Sequence, residues 1–154
     1  MILIDTNVLL RAAQTAHSHH AAALHALKTV RLRGYTPSIV PQIIYEYWVV
    51  ATRPIDNNGL GMTTPAAETE VVRLLKQFHL LRDERAILER WQGLVLQYDV
   101  QGKTAHDARL VAAMNRHGIQ HLLTFNDQHF KRFQSIEIHH PNDIENLDPA
   151  ENSL

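Results

Sequence analysis

The first seven residues, MILIDTN, constrain the fold of this chain more than any other stretch. The apolar residues 2–4 lead directly into Asp5, Thr6 and Asn7. A short, continuous apolar run is typical of a strand buried on both faces, as in a parallel sheet. In an open α/β sheet the ligand crevice lies at the carboxyl ends of the strands, where Asp5 would stand. The alternative is that Asp5 or Thr6 only caps the following helix.

Composition limits the classes of protein that the chain can belong to. Its 154 residues fit one domain, and 45% hydrophobic with 20% charged residues is typical of a soluble globular protein. The absence of cysteine excludes disulfides, thiolate nucleophiles and Cys-ligated metal sites. Residues 1–10 are too short for a membrane span and lack the features of a signal peptide, so we expect a cytoplasmic protein without membrane contact.

Helical and strand-like patterns alternate along the chain. Apolar periodicity, caps and glycines predict helices over residues 7–13, 19–33, 42–51, 64–78, 83–98 and 105–117, and strands over 2–4, 35–38, 119–124 and 136–138. We expect Ser18 and Thr104 to cap the helices that follow them. This alternation predicts an α/β fold of three layers, α/β/α, around a mainly parallel sheet.

Charge divides the chain unevenly, although its formal net charge is only −1. Every lysine and arginine lies at or before Arg132, and five acidic residues follow it. We therefore divide the chain into a domain over residues 1–141 and an acidic C-terminal tail over 142–154.

Two other local patterns raise the question of a site. Glu46 is the single charge in a helix of apolar and aromatic residues, and burying it costs free energy unless it is paired or binds a cation. This favours a site over an outward-facing position. His17, His19 and His20 also lie close together, but an exposed polar cluster is the preferred interpretation there.

Carboxylates recur at places that a parallel sheet would bring together. Asp5 and Asp127, beside Asn126, follow strands, and Asp107 lies in the first turns of a helix. With Glu46 they would form an acidic cluster, which is stable chiefly when a divalent cation neutralises it. Oxygen ligands favour Mg²⁺ or Mn²⁺, and such ions suit phosphate chemistry.

Four segments in this order resemble those of PIN-domain ribonucleases, specifically the VapC-type toxins of toxin–antitoxin pairs. They are residues 4–7 (IDTN), Glu46 on the third helix, residues 106–112 (HDARLVA) and residues 123–130 (LTFNDQHF). The resemblance covers essentially the whole chain. It implies a metal-dependent endoribonuclease in which water attacks an RNA phosphodiester, and a toxin that inhibits translation or growth.

The resemblance also implies roles for individual residues. Asp5 and Asp107 would be the principal ligands of Mg²⁺ or Mn²⁺, and Glu46 a third acid that reaches the metal directly or through water. Thr6 would orient Asp5 or a water, and Asn7 would support the turn. At the fourth acid position this sequence has Asn126, so either Asp127 substitutes for it or the site works with three acids.

Substrate and partners follow with less detail. Lys103 and Arg109 are candidates for binding RNA phosphates, with a solvated surface as the equal alternative. Residues 53–64 form a loop that could shape access to the substrate. The resemblance implies a homodimer and an antitoxin, a segment of which covers the groove of the toxin. Apolar stretches at 43–50 and 71–78 agree with both partners.

Two other functions are alternatives to that of a ribonuclease. An aspartyl-phosphate phosphatase would need an acid two residues after its nucleophile Asp5, and Asn7 cannot act as an acid. A catalytically weak PIN-fold module that binds RNA or protein remains open, because Asn126 lacks a charge.

Overall fold

A five-stranded, entirely parallel sheet forms the centre of this computed structural model, which describes residues 1–151. The strands are β1 (Ile2–Ile4), β2 (Pro37–Ile39), β3 (His79–Leu80), β4 (His121–Leu123) and β5 (Glu137–His139). Their order across the sheet is β3-β2-β1-β4-β5. Helices on both faces complete three layers, and the predicted α/β/α fold class is confirmed.

Six α-helices connect and cover the strands of the described chain. They are α1 (Thr6–Ala13), α2 (His20–Leu32), α3 (Pro41–Thr52), α4 (Thr64–Gln77), α5 (Arg85–Gln97) and α6 (Ala105–His117). Each predicted helix exists within a few residues of its predicted bounds. Gly118, with φ of 68°, ends α6 in the left-handed conformation that glycine adopts at low cost.

The two predicted helix caps are wrong. The N-cap position of helix α2 is His19 instead of Ser18, and no side chain caps the helix. The backbone N–H of His19 donates to Nδ1 of His17. Thr104 does precede α6, but its hydroxyl donates to the carbonyl of Gln101 and caps nothing. A 3₁₀ turn, Gly102–Thr104, leads into α6, so the backbone is already helical where a cap would be extended.

Strand β3 was not predicted, and the apolar stretch over residues 71–78 is only partly buried. Strand β3 has only two residues, both exposed, which is too short for any periodicity to show. On α4, Val71 and Leu74 are buried, whereas Val72 and Leu75 are 40% and 42% exposed. The apolar side chains of this stretch therefore lie partly in the core and partly on the surface of α4.

The position of β1 explains where a site can form. This strand is completely buried and lies between β2 and β4, which are hydrogen-bonded to its two edges. The chain crosses to one side of β1 first and to the other side later, so a crevice opens beyond the carboxyl ends of β1 and β4. Ile4 pairs with Leu123, and the residues that follow them, Asp5 and Thr124, lie at this crevice.

Residues 53–63 are a compact loop that folds back on the end of α3. The backbone N–H groups of Leu60 and Met62 donate to the carbonyls of Val50 and Ala51 at 2.9 and 2.8 Å. A side chain at Gly59 would collide with the backbone of Arg53, so the turn needs glycine.

The acidic C-terminal stretch packs on the domain as far as residue 151. Ile144 and Leu147 are each 1% exposed, and a 3₁₀ segment, Pro141–Asn146, contacts α2. Residues 152–154 of the predicted tail lie outside the described residues. None of the helices within residues 1–151 has the length and apolarity needed to cross a membrane.

Candidate active site

A cavity of about 340 Å³ lies at the carboxyl edge of the sheet and gathers three carboxylates from three elements. Asp5 follows β1, Glu46 extends from α3, and Asp107 lies in the first turn of α6. These residues are separated by up to a hundred positions in the sequence, and the parallel sheet with its helices brings them together.

Asp5 is both a helix cap and a wall of the cavity. Its Oδ1 accepts the backbone N–H of Thr6 at 2.7 Å, so it caps α1. Its Oδ2 accepts the Thr124 hydroxyl at 2.7 Å and the Asn7 side-chain amide at 3.1 Å. The side chain is only 6% exposed. The two interpretations of Asp5 from the sequence are therefore compatible.

Asn7 and Thr124 hold the ends of β1 and β4 together. The Asn7 amide donates to Thr124 Oγ1 at 3.1 Å and accepts the backbone N–H of Phe125 at 3.0 Å. Thr124 is completely buried and also accepts the N–H of Asn126. Sequence analysis did not select Thr124 as a site residue, although it follows the apolar run of β4 just as Asp5 follows that of β1.

Glu46 is fixed by one hydrogen bond to each carboxylate oxygen. The Thr6 hydroxyl donates to Oε2 at 2.9 Å, and the Gln42 side-chain amide donates to Oε1 at 2.8 Å. Gln42 lies one helical turn before Glu46, where side chains on a helix meet. That spacing was the signal in the sequence that could have identified Gln42 as a partner of Glu46.

Arg109 supports Gln42 from behind instead of facing the cavity. Its guanidinium donates to Gln42 Oε1 at 2.9 Å and to both oxygens of Asp83 at 3.1 Å. Gln42 also donates to the carbonyl of His106 at 2.9 Å, which fixes the orientation of its amide group. The chain of contacts from Asp83 through Arg109 and Gln42 therefore orients Glu46.

Asp107 is half-buried at the start of α6, where the helix dipole favours a negative charge. Burial raises the pKa of Asp107, the nearby His129 imidazole lowers it, and the charge of Glu46 raises it. Nδ1 of His129 lies 3.6 Å from Oδ2 of Asp107.

The carboxylates of the cavity repel one another, and burial deprives Asp5 of the water that would stabilise its charge. Burial raises the pKa of Asp5 from 3.8 to about 6, against the hydrogen bonds from Thr124 and the Thr6 backbone. The charges of Glu46 and Asp107 contribute to this net increase in the pKa of Asp5. A divalent cation with oxygen ligands would relieve this repulsion, so the donor set fits Mg²⁺ or Mn²⁺.

The remaining predicted site residues separate into two groups. Thr6, Asn7 and Asn126 line the cavity with the three acids. Asp127 is absent from its lining and lies 3.5 Å from the Lys131 ammonium. Lys103 is exposed on the turn before α6.

Arg53 is a cavity residue that sequence analysis did not select. It follows α3 directly and lines the cavity together with Val49 and Val50. Its position beside three acids supplies a positive group that an anionic ligand could contact. In the sequence it only marked the beginning of the loop, which gave no chemical signal.

The fold and its acidic crevice define a class of protein that the comparisons identify. A sequence profile of the PIN domain family matches residues 2–135, and the chain belongs to that family. A comparison with curated proteins found no match.

Solved structures with the same fold share little sequence with this chain. A toxin–antitoxin complex from Klebsiella pneumoniae has a TM-score of 0.63 at 20% identity, over 92% of this chain and 98% of that one. VapBC2 from Rickettsia felis, bound to a promoter DNA fragment, has a TM-score of 0.69 at 13% identity, over 91% and 98%. VapC20 from Mycobacterium tuberculosis, described as a sarcin–ricin loop cleaving toxin, has a TM-score of 0.59 at 17% identity, over 79% and 87%.

Proposed function

We propose that this protein is a metal-dependent endoribonuclease and the toxin of a toxin–antitoxin pair. The observation that carries the proposal is the convergence of Asp5, Glu46 and Asp107 on one cavity at the carboxyl edge of the sheet. Burial of these acids without a cation costs free energy, which the raised pKa of Asp5 expresses. Membership of the PIN domain family and the toxin neighbours support the same function.

Asp5, Glu46 and Asp107 hold the metal in this proposal. When bound, Mg²⁺ or Mn²⁺ supplies positive charge for the phosphoryl oxygens and lowers the pKa of an attacking water. Thr124 and Asn7 keep Asp5 in one orientation, and Thr6 and Gln42 do the same for Glu46. Such outer partners matter because a ligand that must be reoriented binds the metal less well.

Asn126 is the fourth polar group of the proposed site. It lines the cavity, and its amide oxygen is a ligand type that Mg²⁺ and water both accept. Asp127 is paired with Lys131 outside the cavity lining, so we assign the negative charge of the site to three acids. This gives a less negative site than four acids would, with weaker affinity for a second cation.

Two cationic side chains are candidates for contacts with RNA in this proposal. Arg53 lies at the cavity wall and can pair with a phosphate beside the cleaved bond. Lys103 is an exposed candidate for a more distant phosphate. Arg109 is already bonded to Gln42 and Asp83, so we assign it to the orientation of Glu46.

Exposed apolar side chains support the proposed homodimer and antitoxin. On α3, Tyr45 and Val49 are 63% and 53% exposed, and on α4, which contacts α3, Val72 and Leu75 are 40% and 42% exposed. Apolar side chains grouped on neighbouring helices mark surfaces that partners cover. The proposed antitoxin would cover the groove that leads to the acids, as the resemblance implies.

A catalytically weak module that binds RNA or protein is the second candidate. The neutral Asn126 favours it, because the cavity then lacks a charge that could help to hold a cation. In this alternative the fold and the apolar surfaces are retained, and the acids contribute little to any reaction.

Removal of the metal separates these functions. We expect the purified protein to cleave single-stranded or structured RNA in Mg²⁺ or Mn²⁺, and EDTA to slow cleavage by about 10³-fold, because the cation contributes several kcal/mol to the transition state. Labelled RNA resolved on a denaturing gel measures this. Restoring excess Mg²⁺ is the control and should return the activity. Cleavage that persists in EDTA, or no cleavage in either metal, would contradict the proposal.

A further inference from the structure

A second group of metal-binding side chains lies away from the acidic cavity, on strands β4 and β5. Nδ1 of His121 lies 3.0 Å from Nε2 of His139 and 3.5 Å from Oε2 of Glu137. One ligand atom from each residue lies within 4.8 Å of the other two. Among the described residues, these three are the histidine and acidic side chains whose ligand atoms all lie this close to one another.

Strand register places these three side chains on one face of the sheet. His121 is paired directly with Glu137, and His139 lies two residues further along β5. Side chains two residues apart on a strand point to the same face, and paired residues on neighbouring strands lie side by side. The backbone hydrogen bonds of the sheet therefore bring the ligands together before any metal binds.

The cavity beside these residues is separate from the proposed active site. It has a volume of about 480 Å³, shares no lining residue with the acidic cavity, and is bounded by Met1 and Gln120, which precede β1 and β4. It therefore opens at the amino ends of the strands, whereas Asp5 and Asp107 lie at the carboxyl edge. Asp148 and Glu151 also line it and add negative charge that favours a cation.

The distances between the ligand atoms fit one small transition-metal ion. Zinc binds histidine nitrogen at about 2.0–2.1 Å and carboxylate oxygen at about 2.0–2.2 Å, so two ligands of a tetrahedral ion lie about 3.3–3.4 Å apart. The observed separations of 3.0 and 3.5 Å bracket this value. Two imidazoles and one carboxylate suit zinc and its neighbours, whereas the oxygen ligands of the acidic cavity suit magnesium.

We propose that His121, Glu137 and His139 form a transition-metal site of the Zn²⁺ type that fastens the edge strand β5 to β4. A metal that binds the folded chain more tightly than the unfolded chain stabilises the fold by mass action. The site is independent of RNA cleavage and stands even if the proposed nuclease function fails.

Zinc titration in the presence of millimolar Mg²⁺, which competes for the acidic cavity, tests this site. We expect the full chain to bind one tightly held Zn²⁺. Loss of an outer partner of a metal typically weakens binding by about 10- to 100-fold, so loss of a direct ligand in His139→Gln or Glu137→Gln should cost at least that much. Two matched controls are His79→Gln, at the exposed start of β3 on the opposite edge, and His17→Gln, in the other histidine cluster. Both should bind Zn²⁺ as the parent does.

Thermal unfolding provides a second readout, and it also shows whether each variant is folded. Zn²⁺ should raise the Tm of the parent and of both controls, and should raise that of Glu137→Gln much less. Glu137 has a side chain that is 66% exposed, so its replacement leaves the core intact even if His139→Gln fails to fold. Equal Zn²⁺ affinity in the parent and Glu137→Gln would overturn the proposal, as would a loss of affinity in His17→Gln alone.

Discussion

Asp5→Asn and Asp107→Asn should each lower the rate of metal-dependent RNA cleavage by about 10²- to 10⁴-fold, since each removes part of a cation site worth several kcal/mol in the transition state. Asparagine keeps the size of the side chain, removes its charge and replaces one acceptor oxygen by an NH₂ group. Asp5 is almost completely buried and its three hydrogen bonds come from neutral groups, so a cation would neutralise a charge that these partners leave uncompensated. Initial rates on one labelled RNA at saturating Mn²⁺ provide the measurement.

The control for these variants is Asp143→Asn, the same chemical change at an exposed aspartate in the C-terminal 3₁₀ segment. It should cleave at the parental rate, and circular dichroism should report the same helix content for all variants. If Asp5→Asn or Asp107→Asn cleaves within about threefold of Asp143→Asn, the acids are not the cation site that we propose.

The fourth position of the site can be assigned in the same assay. Asn126→Ala removes an amide from the cavity lining and should slow cleavage, whereas Asp127→Asn removes a charge paired with Lys131 outside that lining and should slow it less. The opposite order would transfer the fourth role to Asp127.

The contribution of Asp5 to the stability of the metal-free protein should fall as pH rises from 4 to 7, because Asp5 is easier to protonate in the folded chain than in the unfolded chain. Its pKa is raised from 3.8 to about 6, so the stabilisation is fully present below pH 3.8 and is lost as pH rises through about 6. The size of this effect is about 3 kcal/mol, at about 1.4 kcal/mol for each pH unit between the two values. The raised pKa of Asp107 acts in the same direction.

Urea unfolding in EDTA at a series of pH values measures this effect through the difference between Asp5→Asn and the parent. The new amide changes stability by an amount that does not depend on pH, so the pH-dependent part reports the titration of Asp5. We expect Asp5→Asn to gain about 2–3 kcal/mol on the parent between pH 4 and pH 7. Mg²⁺ should stabilise the parent more at pH 7.5 than at pH 5, because protons compete with the cation for Asp5. A difference that is constant with pH would contradict the raised pKa.

Ligand crevices in open α/β sheets lie at the carboxyl ends of the strands, which explains why much of the candidate site could be predicted from the sequence. Asp5 follows an apolar run that is typical of a buried strand, and Glu46 is a lone charge in an apolar helix. Both patterns are local, and the structure places both side chains at the cavity. The alternation of helices and strands likewise indicated the parallel sheet.

Contacts between distant residues could not be predicted in this way. Arg109 lies two residues after Asp107 and is, from the sequence, a candidate phosphate contact or a solvated charge; its bonds to Gln42 and Asp83, which come from other parts of the chain, had no signal in the sequence. The meeting of His121 with Glu137 depends on the register between β4 and β5, which no local pattern encodes. Strand β3 has two residues and owes its existence to the neighbouring β2.

The central claim is that Asp5, Glu46 and Asp107 together hold a divalent cation. Anomalous diffraction from crystals soaked in Mn²⁺ above pH 7, where Asp5 is ionised, tests it most directly. We predict an anomalous peak in the cavity within about 2.5 Å of carboxylate oxygens of Asp5 and Asp107. Its absence from the cavity, whatever other sites Mn²⁺ occupies, would contradict this account.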